Sequence, residues 1–186
     1  MRKGFTLIEL LIVIGILAIL ATTVVLVLNP AQLLAETRDV QRLTDLDTIR
    51  SAINLYSTSA ALPTFPDTWR CTLSPVAAPC ALATAPLATD MRLTTGVGWV
   101  AVNLGSISGG SPIPLLPLDP TGAQTAALHY SFESAAIAKT YELTAQMESI
   151  KYSNPTAGNK ESNDGGNNAD CYEVGTDLNL VLAAEC

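Results

Sequence analysis

The chain has 186 residues, 48% of them hydrophobic, with 10 lysines and arginines against 17 aspartates and glutamates and a formal net charge of −7. That apolar content is enough for a core, which excludes disorder as the default, and the length suits one ordinary domain with an appendage. The acidic balance repels phosphate backbones and sets nucleic acid aside as a default partner, the more so because Arg2 and Lys3 sit apart at the N-terminus.

From Phe5 to Leu28 nearly every residue is apolar, interrupted only by Thr6, Glu9, Gly15, Thr22 and Thr23, and the stretch Leu10 to Leu28 carries no charge. That is long enough to span a bilayer as a helix. The cations precede it, so the positive-inside rule places Met1 to Gly4 in the cytoplasm and everything after Leu28 outside: a single pass through the inner, cytoplasmic membrane. A secretory signal peptide fits poorly, because its apolar region is shorter. A plain anchor leaves Glu9 unexplained, since a carboxylate in lipid is expensive.

Asn29-Pro30 is read either as a kink or as a restart, with Asn29 as N-cap, Pro30 at the first helical position and Gln32 reaching back. The favoured expectation is a nearly continuous helix from about Thr6 to Ser57, locally kinked or melted near Pro30. After it, Leu33, Val40, Leu43, Leu46, Ile49, Ile53 and Tyr56 recur every three or four residues and share one helical face. Glu36, Arg38, Asp39, Arg42, Asp45, Asp47 and Arg50 make the other, solvated side, with Arg42–Asp45 and Asp47–Arg50 as i,i+3 pairs.

"LPTFPDTWR" from Leu62 ends the helix, and residues 62–96 read as a connecting loop. Strands are expected at Gly98–Leu104, Ala126–Glu133, Lys139–Glu148 and Glu173–Leu182, separated by the turn-rich stretches 106–122 and 153–170. In the third, Tyr141, Leu143, Ala145 and Met147 alternate with Thr140, Glu142, Thr144 and Gln146, as in a half-buried strand. The fold expectation is α+β, a helix laid across a small antiparallel sheet. An even cysteine count in an exported chain suggests disulfides, and the local pairs Cys71–Cys80 and Cys171–Cys186 need the least loop closure. Zinc is disfavoured by the spacings and by the single histidine, His129.

The N-terminal block "RKGFTLIELLIVIGILAILA" resembles the class III signal of type IV pilins and type II secretion pseudopilins: a basic leader ending in glycine, then phenylalanine, then glutamate four residues later at the head of an apolar helix. The resemblance implies a pilin-like fold and a cut by prepilin peptidase between Gly4 and Phe5. It also implies N-methylation of Phe5, and assembly through Glu9 pairing with the amine of a neighbouring subunit's Phe5. It divides the chain into a leader (1–4), a transmembrane and filament-core helix (5–28), the amphipathic half of the helix (29–57) and a globular head (58–186). A looser likeness covers "PLDPTG" with Tyr130 and "NDGG…CYEVGTDL", and in this family a last cysteine often closes a C-terminal loop, the place of Cys171–Cys186.

Other constellations carry less. Asp164, Asn168 and Asp170 are oxygen donors suited to calcium, but their spacing is not an EF-hand and Asn, Asp and Gly are ordinary turn residues. His129 lacks the partners of a triad and reads as structural. Glu142 and Glu148 read as solvent-facing, with no glycosidase pair. Trp69, Trp99 and Tyr130 read as core rather than as a binding patch. The expectation is therefore no enzyme, no cofactor and no metal. The reading is a membrane-inserted subunit of a type IV pilus or a secretion pseudopilus. Its partners are copies of itself in a helical filament, prepilin peptidase, membrane lipid and an inner-membrane assembly platform, and its final location is a filament at the cell surface. The contrasting reading is a monomeric exoplasmic binding module on an ordinary anchor.

Overall fold

A computed structural model describes residues 4–73, 80, 89–122, 124–125, 127–153 and 159–181. The chain divides into two compact units, Met1–Ala35 and Glu36–Cys186. Helix α1 runs Leu7–Leu28 and α2 runs Pro30–Ser59. Asn29 separates them in a left-handed conformation, φ 39°, which asparagine tolerates better than most residues. The proline that follows disfavours a helical conformation at Asn29 and lacks an N–H. The helix restarts at once, because the Asn29 carbonyl accepts from Gln32 N at 2.9 Å and Leu33 N at 3.3 Å. The interruption is thus one residue wide, and Pro30 opens α2 as in the restart reading.

In the second unit, strands β1 (Thr68–Cys71), β2 (Tyr130–Ala135), β3 (Thr140–Ala145) and β4 (Tyr172–Gly175) form one antiparallel sheet in chain order. The registers Phe132↔Leu143 and Leu143↔Val174 put those side chains on one face with Tyr130 and Tyr141. Against it pack Leu46, Ile49, Ile53 and Tyr56 of α2. Phe65 joins the two layers, edge-on to Tyr56 at 5.9 Å and stacked on Tyr141 at 6.1 Å between centroids. The architecture is α+β and pilin-like: a long N-terminal helical stretch whose amphipathic part lies on a small antiparallel sheet.

Three sequence expectations change. Gly98–Leu104 is buried except at Asn103 but forms no strand. Its polar backbone is met by turns and side chains, with Trp99 N donating to Met91 O, Leu104 N to Thr94 O, and Arg70 Nη1 to the Gly96 and Gly98 carbonyls. The fourth strand is instead β1, inside the expected loop 62–96, hidden because TWRC is too short to show a period. The buried face of α2 is also rotated: Asp39, Arg42, Leu46, Ile49, Ile53 and Tyr56 face inward at alternating steps of three and four, while Leu33 and Val40 are exposed. Two charged residues take places in that seam because Asp119 and the backbone at Glu148–Ser149 reach across to bond them.

Cys71 and Cys80 are joined by a disulfide, Cα atoms 6.4 Å apart, and with Leu73 make a small buried cluster. Cys171 is fully buried and is not a free thiol. The expected pair Cys171–Cys186 has its second member outside the described residues.

Candidate functional site

The apolar helix begins with a reciprocal cap. Thr6, in extended conformation, accepts the Glu9 backbone N–H on its hydroxyl at 3.3 Å; Glu9 Oε2 in return accepts Thr6 N at 3.1 Å and Thr6 Oγ1 at 3.0 Å. This capping box satisfies donors that a helix start leaves orphaned, and a carboxylate there also faces the positive end of the helix dipole. The sequence signal is Thr6-Leu7-Ile8-Glu9, a T-x-x-E ahead of an apolar run, which the reading of Glu9 as an assembly residue alone passes over. Glu9 Oε1 accepts no hydrogen bond from the described residues. Phe5, immediately ahead of the cap, is 82% exposed.

Behind this cap α1 has 22 residues, about 33 Å at 1.5 Å per residue, long and apolar enough to cross a membrane. Its two threonines do not disturb that surface. Thr22 Oγ1 donates to Ile19 O and Thr23 Oγ1 to Leu20 O, each at 2.8 Å, so both hydroxyls are satisfied within the helix. Leu7, Ile8, Leu10, Leu11, Ile14, Ile16, Leu17, Ile19 and Leu20 are all more than half exposed. An apolar surface of this extent needs lipid or other apolar helices around it.

Within the second unit, α2 carries an ion network. Arg42 donates Nε to Asp119 Oδ2 at 2.6 Å, Nη2 to Asp119 Oδ1 at 3.1 Å and Nη1 to Asp39 Oδ1 at 2.6 Å. Asp39 also accepts the backbone N–H groups of Glu148 and Ser149, at 2.9 and 2.8 Å, opening the short helix α3 (Ile150–Ser153). Arg38 closes the network through Glu148. Burial pushes the Asp119 carboxyl up, but the hydrogen bonds from Arg42 and Thr121 outweigh it and hold the group below its usual range. Glu148 is held down by its hydrogen bond from Arg38.

This geometry corrects two assignments. Arg42 and Asp39 are buried, not solvated, and Arg42 does not pair with Asp45; Asp45 accepts instead from Gln41 and from the Tyr130 hydroxyl. Asp47–Arg50 does form, as an exposed pair at 2.9 Å. Glu142 is likewise not solvent-facing: it is fully buried, because residues 180–181 cross over that face and donate two backbone N–H groups to it. Glu148 is half-buried in its ion pairs.

Trp99 and Tyr130 are core residues, rings 5.6 Å apart, and Trp99 Nε1 donates to Pro117 O at 2.9 Å; Trp69 is half-buried on β1. His129 is buried one residue ahead of β2. Asp164 accepts Gly166 N and Glu173 N on its two oxygens, and Asn168 Oδ1 accepts Asp170 N. These oxygens hold turns, and no cluster of three or more His, Cys, Asp or Glu suited to a metal occurs among the described residues.

Residues 1–25 match the family model of the prokaryotic N-terminal methylation motif, the class III signal of type IV pilins and pseudopilins. No curated protein and no solved structure matches the chain. The motif implies processing by prepilin peptidase and filament assembly, and points to a structural role; with the apolar helix behind it, it fits membrane anchoring followed by a surface filament.

Proposed function

We propose that this chain is a structural subunit, not an enzyme, of a type IV pilus or a type II secretion-like pseudopilus, cut between Gly4 and Phe5, methylated on Phe5 and polymerised through α1. The observation that carries the reading is the methylation motif over residues 1–25 standing directly on a helix whose apolar side chains from Leu7 to Val25 are exposed. Before assembly the subunit waits in the inner membrane, head outside the cytoplasm, with lipid covering α1. In the filament, neighbouring α1 helices replace that lipid.

Glu9 then has two tasks. Oε2 closes its own helix start on Thr6, and Oε1 receives the positive amine of a neighbour's Phe5. Only one axial offset brings the two together, so a buried ionic contact specifies register, as polar groups do in coiled coils. Electron microscopy of Glu9→Leu tests this. Membrane insertion persists and filament incorporation is lost; normal filaments from the variant refute the reading. Long surface filaments at native expression identify a pilus, and retained exoproteins on deletion identify a secretion pseudopilus.

A further inference from the structure

On the sheet face turned away from α2, Glu142 of β3 lies opposite Gly175 and Glu173 of β4 lies opposite Thr144, so the two glutamates are diagonal neighbours. They are 0% and 2% exposed. Glu142 Oε2 accepts the N–H groups of Leu180 and Val181, both at 2.8 Å, and Glu173 Oε2 accepts Asn168 N at 2.9 Å. Each Oε1 is buried without a hydrogen-bond donor, although the two carboxyls lie within hydrogen-bonding reach of one another. Neither forms an ion pair with a cation among the described residues.

Two glycines make this approach possible. A Cβ on Gly175 would stand 2.9 Å from Glu142 Cα and 2.1 Å from the Tyr141 carbonyl, and one on Gly166 would meet Glu173 Oε2 at 1.8 Å. Two ionised carboxylates cannot occupy adjacent dry positions cheaply, whereas one proton between the orphan oxygens gives one a hydrogen to donate and the other a hydrogen to accept. We propose that Glu142 and Glu173 share one proton as a latch that holds Leu180–Val181 and the Asn168 loop on the sheet, and that losing the proton to solvent releases both.

The charged groups around the pair are Glu133 of β2, opposite Glu142 in register; Asp164, which accepts Glu173 N at 2.6 Å; and Lys160 and Arg50, which share a cleft of about 260 Å³ with Asp164 and Glu173. The carboxylates favour keeping the proton, and the two cations favour losing it. Burial first, then the bond to Glu173, pushes Glu142 up to about 9 from 4.5. The folded chain therefore holds a proton that the unfolded chain releases. This stabilisation is complete below about 4.5 and is lost as pH rises towards 9, up to tenfold in the folding equilibrium per pH unit.

The test uses the full chain in detergent micelles, with carbon-13 NMR of glutamate carboxyls and amide exchange at Leu180 and Val181, from pH 5 to 10. The expected result is one glutamate carboxyl titrating near 9, with exchange at those two amides accelerating beyond its intrinsic pH dependence over the same range. In Glu142→Gln, whose amide donates permanently, that acceleration disappears. If neither Glu142 nor Glu173 titrates above about pH 6, or if calcium chloride displaces the midpoint beyond what potassium chloride of equal ionic strength does and so puts a metal ion between the oxygens, the proposal is overturned. The wild-type titration decides even if the variant fails to fold.

Discussion

Arg42 of α2 and Asp119, 77 positions later, meet fork to fork, with Nε–Oδ2 at 2.6 Å and Nη2–Oδ1 at 3.1 Å, both side chains buried. The bidentate geometry fixes the rotation of α2 against the loop ahead of β2. Arg42→Ala leaves two buried carboxylates, Asp39 and Asp119, without their cation and costs about 3–5 kcal/mol. Denaturant unfolding of the full chain in micelles checks this, and a double-mutant cycle with Asp119→Asn isolates the coupling. Since the Asp119 carboxyl titrates below its usual 3.8 when folded, its contribution is present above that value and is lost as pH falls through the lower folded one.

Glu161 titrates in the opposite sense. It is 2% exposed, and although its Oε1 accepts Met147 N at 2.7 Å, burial pushes the carboxyl up to about 7 from 4.5, with Asp170, Asp39 and Asp164 adding repulsion. Its folded form keeps a proton that the unfolded form sheds, so this contribution is full below 4.5 and lost as pH rises through 7. Glu161→Gln removes that part of the slope, about 2 kcal/mol after allowance for solvent screening. Unfolding curves at pH 4.5, 6 and 7.5 read it directly, and an unchanged slope contradicts the assignment.

The N-terminal helix was legible because nineteen uncharged residues and a basic flank leave few alternatives, and the core face of β3 was legible because Tyr141, Leu143 and Ala145 alternate. The burial of Glu142 was not, since what covers it is chain some forty positions away, and no local pattern announces a second covered face. Arg42 misled for a related reason. An i,i+3 rule sees Asp39 and Asp45 equally, while the partner that drives Arg42 inward is Asp119. At Glu9 the capping box was readable in TLIE, but the unusual charge drew the reading towards a partner outside the chain.

The Cys71–Cys80 bridge closes a short loop at the end of edge strand β1. Chain-entropy reasoning for a loop of this length gives about 2–3 kcal/mol. The variant carrying both Cys71→Ser and Cys80→Ser loses that much by denaturant unfolding, and because Cys71 stands opposite Ser131 at the end of the edge strand, the α2–sheet core retains its melting cooperativity.

Glu9→Gln separates capping from charge. Glutamine serves in a capping box as glutamate does, so circular dichroism of the chain in micelles is unchanged, while incorporation into filaments falls at least tenfold because an amide cannot neutralise an amine. Incorporation at the wild-type level assigns Glu9 to the helix cap alone.

The most direct measurement is the intact mass and N-terminal sequence of the protein recovered from native membranes. The account predicts a chain beginning at Phe5 and bearing one added methyl group on its amine. A chain that still begins at Met1, with Gly4–Phe5 uncut, contradicts it and leaves an ordinary anchored protein.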